Sequence, residues 1–205
     1  KMDEESKDYA EKRLNAWSVQ WKNKAISELY FPGSVFKVIT GSSALEEKAI
    51  SLQDTFSCNT FIQVADYKIH CWSTNDHGSQ NFALSMLNSC NPAFIQIGQR
   101  LGAEKFSEYF KAYGLTEKTG IDLPSEVSSI YMPLSRMGSV ELASSSFGQT
   151  NKVTPIQMIT AYSAVINGGY LITPQVVDKI TDSNGNVVKD FDTQVKRQVI
   201  SEETS

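Results

Sequence analysis

Two residues have the types and spacing for covalent chemistry, Ser34 and Lys37. Pro32 and Gly33 form a turn signal, and an apolar-periodic run (Val35, Phe36, Val38, Ile39, Ala44, Leu45) follows at once. This predicts a loop that ends where a helix begins, with Ser34 in the first turn and the helix running to about Lys48. Lys37 lies three residues on, so on a helix it falls one turn away on the same face. A serine hydroxyl is a poor nucleophile, and a close, partly desolvated lysine with a lowered pKa can take its proton. The helix N-terminus adds backbone N–H groups and a positive dipole end, which suit a developing oxyanion. Taken alone, S-x-x-K occurs by chance in many chains, and a serine near a helix start beside a solvated lysine is then the plainer reading.

A second element changes that balance. Ser89-Cys90-Asn91 matches S-x-N, which accompanies S-x-x-K in serine β-lactamases and penicillin-binding proteins. Tyr30 to Lys37 resembles the Y-x-P-G-S-x-F-K of class B penicillin-binding transpeptidases, and Ser89 to Phe94 resembles their second motif. Phe147-Gly148-Gln149, Val153-Thr154-Pro155-Ile156-Gln157 and Asn167-Gly168-Gly169 resemble three further landmarks in the same order. The resemblance runs from about Asn15 to the end and is greatest to Gram-positive class B members, including sporulation-type ones.

The remaining elements must position these residues. Residues 3–29 read as one or two helical stretches, with Trp17 and Trp21 packing at i, i+4. Residues 51–77 lack helical periodicity and read as an irregular or short-stranded excursion; residues 79–88 return to a helical pattern that delivers Ser89 and Asn91. Asn91-Pro92 starts a helix that Gly102 ends, and residues 103–113 form another. Thr154-Pro155 is a cap followed by proline at a first helical position, and Asn184-Gly185 between β-branched runs signals a hairpin. Ile200-Ser201-Glu202-Glu203 reads as a helix start. Lys118-Thr119-Gly120 spells K-T-G, the family's third motif, but it precedes Ile121-Asp122-Leu123-Pro124-Ser125-Glu126, similar to the family's T-G-I-D-L-P-x-E loop, and so reads as a structural landmark.

The chain has 205 residues, 40% of them hydrophobic, and a net charge of −4, which suits one globular domain with a real core. No basic cluster argues for nucleic acid, and no apolar run reaches the length of a membrane span.

The resemblance implies an α+β, helix-dominated fold. Residues 1–205 are expected to be a single partial transpeptidase domain, truncated at both ends and lacking the N-terminal strands and the K-T-G strand. It implies Ser34 as acylated nucleophile, Lys37 as proton acceptor, Ser89 as proton shuttle to the leaving group and Asn91 as holder of the substrate amide. The substrate implied is the D-Ala-D-Ala end of a peptidoglycan stem peptide, which β-lactams imitate. Cell-wall synthesis proteins are the implied partners, and no cofactor or metal is needed. The location implied is the extracytoplasmic face of the bacterial membrane, through an anchor outside this chain. With one oxyanion donor on the K-T-G strand, the piece alone is expected to be nearly inert. A serine β-lactamase or β-lactam sensor, and a catalytically silent scaffold, are the competing readings.

Other chemistries fit less well. His70 and His77 are the only histidines and sit in no recognisable motif. Cys58, Cys71 and His77 suggest zinc, but their spacing fits no standard ligand pattern. Cys58 and Cys71 either form a disulfide in an oxidising compartment or remain two free thiols. Cys90 reads as a small buried filler between two functional residues. Phosphate-binding glycine loops are absent.

Overall fold

The computed structural model describes residues 7–205; the part of the first helical expectation that covers residues 3–6 lies outside them. Helix α1 (Lys7–Trp21) stacks Trp17 on Trp21 with ring centroids 6.0 Å apart, but on an exposed face. A one-turn helix α2 (Lys24–Ser27) follows, capped by Asn23, whose side chain accepts from the Ala25 N–H.

The expected nucleophile helix forms in two parts. Gly33–Phe36 is a turn of 3-10 helix, and α3 (Lys37–Glu46) continues it as α-helix. Gly33 explains the break: its φ of +59° lies outside helical space, so the first turn cannot start as regular α-helix. Helix α3 is central and almost wholly buried, although it carries Thr40, Ser42 and Ser43. Their hydroxyls are satisfied locally or by neighbours. Ser42 and Ser43 donate to the Ile39 carbonyl, Thr40 donates to the Ser146 carbonyl at 2.9 Å, and Ser42 also meets the Tyr113 hydroxyl at 2.8 Å. Small residues let partners close in: a Cβ on Gly41 would stand 2.8 Å from the Phe82 ring.

The excursion after α3 is more ordered than its sequence suggests. Strand β1 (Thr55–Cys58) pairs antiparallel with β4 (Gly78–Asn81), and inside that pair β2 (Phe61–Val64) and β3 (Tyr67–His70) make a hairpin. Pairing with β1 takes residues 78–81 away from the helix expected over 79–88, so α4 is only Phe82–Leu87, capped by the Asn81 side chain on the Leu84 N–H. Helix α5 (Asn91–Leu101) begins with proline in its first turn and ends at Gly102, and α6 (Ala103–Ala112) follows. The amphipathic patterns of α5 and α6 supply Phe94, Ile97, Phe106 and Phe110 to one core with Phe36, whose ring lies 5.9 Å from those of Phe106 and Phe110.

Helix α7 (Ser139–Ser145) packs on α5, where Gly98 admits Ser146. Helix α8 (Pro155–Ile166) has the cap its sequence signals: Thr154 and Gln157 form a reciprocal capping box. Strand β5 (Tyr170–Ile172) pairs with β8 (Val195–Gln198) across the hairpin of β6 (Lys179–Thr181) and β7 (Val187–Asp190), with Gly185 at its tip. At the expected helix start Ile200 is buried, the Ser201 hydroxyl accepts from the Thr204 N–H, and the Ser205 N–H donates to the Ser201 carbonyl at 3.1 Å, which makes a single turn. Among the described residues the sheets are four two-stranded pairs, so the fold is α+β and helix-dominated.

Candidate active site

The turn at Gly33–Phe36 leaves Ser34 exposed at the end of α3, while Lys37, one turn below, is 1% exposed. Lys37 Nζ lies 3.2 Å from Ser34 Oγ and 3.0 Å from Ser89 Oγ, and it donates to the Ser89 carbonyl at 2.6 Å and to Asn91 Oδ1 at 2.8 Å. Those four neighbours can be satisfied by a neutral amine as well as by an ammonium. The two carbonyl oxygens can only accept, and a neutral amine has two N–H groups for them. Its lone pair is then free for a hydroxyl, either Ser34 or Ser89. Burial pulls the Lys37 pKa down to about 8, against an opposing pull from Cys90 and Cys71. A lysine so placed can act as a base near neutral pH.

Ser89 reaches Lys37 through an unusual backbone. Its φ is +47°, in left-handed space. The Ser89 N–H donates to the Met86 carbonyl and the Cys90 N–H to the Ser85 carbonyl, both at 3.0 Å, which is the Schellman ending of α4. Glycine is the usual residue at that position. Serine there costs roughly 1–2 kcal/mol, and it turns both a hydroxyl and a carbonyl onto one amine. Proline at the start of α5 then fixes Asn91 beside it.

The far side is set by a close backbone approach. Gly148 has φ +83°, and its carbonyl accepts from the Gly33 N–H at 2.9 Å; a Cβ on Gly148 would stand 2.3 Å from the Gly33 carbonyl oxygen. This docks the Phe147-Gly148-Gln149 turn against the nucleophile turn. Ser34, Ser89 and Asn91 line an open groove of about 410 Å³ with Trp72, Phe147 and Gln149. Trp72 is pinned at its rim by an Nε1–H bond of 2.9 Å to the Asn88 carbonyl. A larger hollow of about 720 Å³ beside α1 and α2 includes Ser18 and Lys22, but Lys22 is exposed and its Nζ lies 4.0 Å from Glu28 Oε1.

The profile of the penicillin binding protein transpeptidase domain matches residues 2–205. The chain belongs to this family. It is 44% identical over 190 residues to the stage V sporulation protein D of Bacillus subtilis (strain 168), covering 92% of this chain and 29% of that one. It is 32% identical to a peptidoglycan D,D-transpeptidase FtsI homolog of Mesostigma viride, covering 80% of this chain and again 29% of the relative. The transpeptidase chain thus spans less than a third of the length of these curated relatives. In fold it is similar to the D,D-transpeptidase domain of an Eggerthella lenta peptidoglycan glycosyltransferase, with a TM-score of 0.82 at 23% identity over 96% of this chain and 52% of that one.

Within this transpeptidase-family chain, Ser34, Lys37, Ser89 and Asn91 converge as their spacing and resemblance suggest. Lys118-Thr119-Gly120 stays out of the groove. Glu126, itself buried, accepts from the Thr119 N–H and hydroxyl at 2.6 Å and from the Gly120 N–H at 3.1 Å, so the triplet cradles a carboxylate. Asp122 of the same loop receives the Val176 and Val177 N–H groups at 2.7 and 2.9 Å and ties down the strand region that follows.

Of the two states left open for Cys58 and Cys71, the structure has the free thiols, and both are buried. Cys90 and His77 share their pocket, with the four ligand atoms within 4.8 Å of one another. The groove residues Trp72, Phe147 and Gln149 carried no sequence signal as wall residues. Only the Gly-Gln resemblance hinted at the turn.

Proposed function

We propose that the full-length protein cross-links peptidoglycan by serine acyl transfer. Lys37, as the neutral amine, takes the Ser34 proton while Ser34 Oγ attacks the carbonyl carbon of the penultimate D-alanine. Ser89 relays a proton to the departing D-alanine nitrogen, so the peptide bond breaks as the ester forms. Asn91, which lines the groove and whose Nδ2 reaches the His70 carbonyl at 3.5 Å, holds the substrate amide. An amine from a neighbouring stem peptide then attacks the ester and returns the proton to Ser34 through Lys37. β-Lactams enter at the first step and remain as the ester.

The observation that carries this reading is the buried Lys37 amine within 3.2 Å of one serine hydroxyl and 3.0 Å of another. The named activity of the relatives supports the same chemistry. The donor set fits acyl transfer without a cofactor in the reacting groove. By the same resemblance the site works outside the cytoplasmic membrane, with cell-wall synthesis proteins as partners. No helix among the described residues is long and apolar enough to cross a membrane.

The test is labelling of the full-length protein with a fluorescent penicillin, followed by mass spectrometry of the Ser34 peptide. A stable ester on Ser34 is expected. Rapid release of hydrolysed penicillin would indicate a β-lactamase, and no ester at all would indicate a scaffold. The 205-residue chain alone is expected to label about 10²–10³ more slowly than the full-length protein. Ser34 supplies one oxyanion N–H, and Lys118-Thr119-Gly120, committed to Glu126, is in no position to supply the other.

A further inference from the structure

Behind the S-x-N turn lies a group of side chains that acyl transfer does not use. Cys58 ends β1, Cys71 follows β3, His77 precedes β4 and Cys90 caps α5. Their spacing in sequence fits no common ligand pattern, but the pairing of Cys58 with Gly78 sets the first beside His77, and the other two fold in from either side. The three Sγ atoms and a His77 ring nitrogen lie within 4.8 Å of one another, and Cys71 Sγ is 3.8 Å from His77 Nδ1. A tetrahedral ion with bonds of about 2.3 Å to sulfur and 2.0–2.1 Å to nitrogen needs ligand separations of roughly 3.6–3.8 Å. One pair already meets that, and the others close by at most about 1 Å.

A second observation points the same way. Among the described residues, Gln80 Nε2 is the buried side-chain nitrogen with no hydrogen-bond partner, and Gln80 is 2% exposed. Its oxygen is occupied by Asn88 Nδ2 at 2.8 Å, and its amide nitrogen lies beside Cys90. Backbone N–H groups of Ser73 and Asn91 face the Cys71 sulfur, and that of Ala93 faces Cys90. An unsatisfied donor in a dry pocket is costly, and N–H groups aimed at sulfur are the outer support that thiolate ligands use.

We propose that Cys58, Cys71, Cys90 and His77, the last through Nδ1, form a closed four-ligand site for a tetrahedral, thiophilic divalent cation of the zinc type. On binding, the three thiols release their protons to solvent and the ion sheds its waters; no oxidant takes part. Four protein ligands leave no open position, so the ion is structural. It fastens the β1–β4 excursion to the turn that holds Ser89 and Asn91, because Cys90 stands between them. Sulfur-rich donors select such a cation over magnesium or calcium.

The test uses the protein purified reduced and metal-depleted, titrated with Zn²⁺ against a competing chelator and, separately, with Co²⁺. Expected are about one ion per chain and a cobalt spectrum with strong thiolate charge-transfer and tetrahedral d–d bands. Zn²⁺ raises the melting temperature of the wild type but not of His77→Ala. Gln80→Leu weakens binding by about 10–100-fold, and His77→Ala and Cys58→Ser by at least that. His70→Ala and Ser34→Ala bind as wild type. If Cys58→Ser fails to fold, the half-buried His77 position carries the comparison. Sub-stoichiometric uptake, an octahedral cobalt spectrum, wild-type affinity in His77→Ala, or isolation of the metal-free protein with a disulfide among these cysteines would each overturn the proposal. Metal uptake is read without any acylation, so this result and penicillin labelling can fail independently.

Discussion

The two halves of the groove are built on different principles. The Ser34 half is local: a glycine turn, three residues of spacing and one buried helix put the hydroxyl and Lys37 together. The Ser89 half is assembled from far away: α4 ends in a left-handed serine, β1 pairs with β4 around a hairpin, and three cysteines and a histidine gather behind the turn. In the proposed mechanism the first half supplies reactivity and the second supplies position. Damage to the first should therefore appear in chemistry with little change in fold, and damage to the second should appear in both.

The largest effects belong to the local half. Ser34→Ala should abolish covalent penicillin labelling of the full-length protein. Lys37→Met, which keeps the buried stem and removes the amine, should slow acylation by about 10²–10⁴-fold while thermal unfolding stays cooperative. If Lys37→Met labels at the wild-type rate, the base lies elsewhere.

A pH profile sharpens the same point. The proposed acylation needs neutral Lys37, so the rate should climb about tenfold per pH unit below the Lys37 pKa of about 8 and level off above it. Stability should follow in the same direction. Burial depresses the folded pKa below the ordinary 10.5, so between about 8 and 10.5 the unfolded chain holds more protons and folding strengthens as pH rises. A rate that falls across that window would require a protonated Lys37.

Gly148→Ala attacks the seam between the halves. The added Cβ meets the Gly33 carbonyl oxygen at 2.3 Å with φ at +83°, so the turn must move. A loss of about 1–3 kcal/mol by urea unfolding is expected, together with slower labelling. Gly185→Ala, at similar φ but with nothing near its Cβ, should cost only the backbone term and leave labelling unchanged.

The subtlest comparison is at Ser89. Ser89→Ala removes the hydroxyl and keeps the strained backbone; Ser89→Gly removes both. Glycine should be more stable than alanine by roughly 1 kcal/mol, with acylation impaired in each. Equal stability would mean that the left-handed turn carries no strain.

Legibility in sequence follows the same division. Ser34 and Lys37 could be placed because helix spacing is a local rule, and Thr154 because a cap followed by proline is written in two adjacent residues. Gly33 warned of the turn, although not that it would wind as 3-10 helix. The shortened α4 was not legible, since residues 78–81 look helical until β1 is there to pair with them. The cysteine cluster escaped for the same reason: residue spacing along a chain says little about ligands delivered by four separate elements. Trp72, Phe147 and Gln149 are wall residues only by virtue of that long-range assembly.

Gly33 and Gly148 hold one seam of the groove, Lys37 and Ser89 are 52 residues apart, and Thr40 bonds the Ser146 carbonyl across 106. None of these contacts can form while the chain is only partly condensed, and closures of that length come late and slowly. A β-lactam that reacts as proposed therefore reads more than the presence of a serine. On the proposed chemistry it captures molecules whose distant segments have already met, so pulsed addition during refolding of the full-length protein would time the final closure of the chain through the label at Ser34.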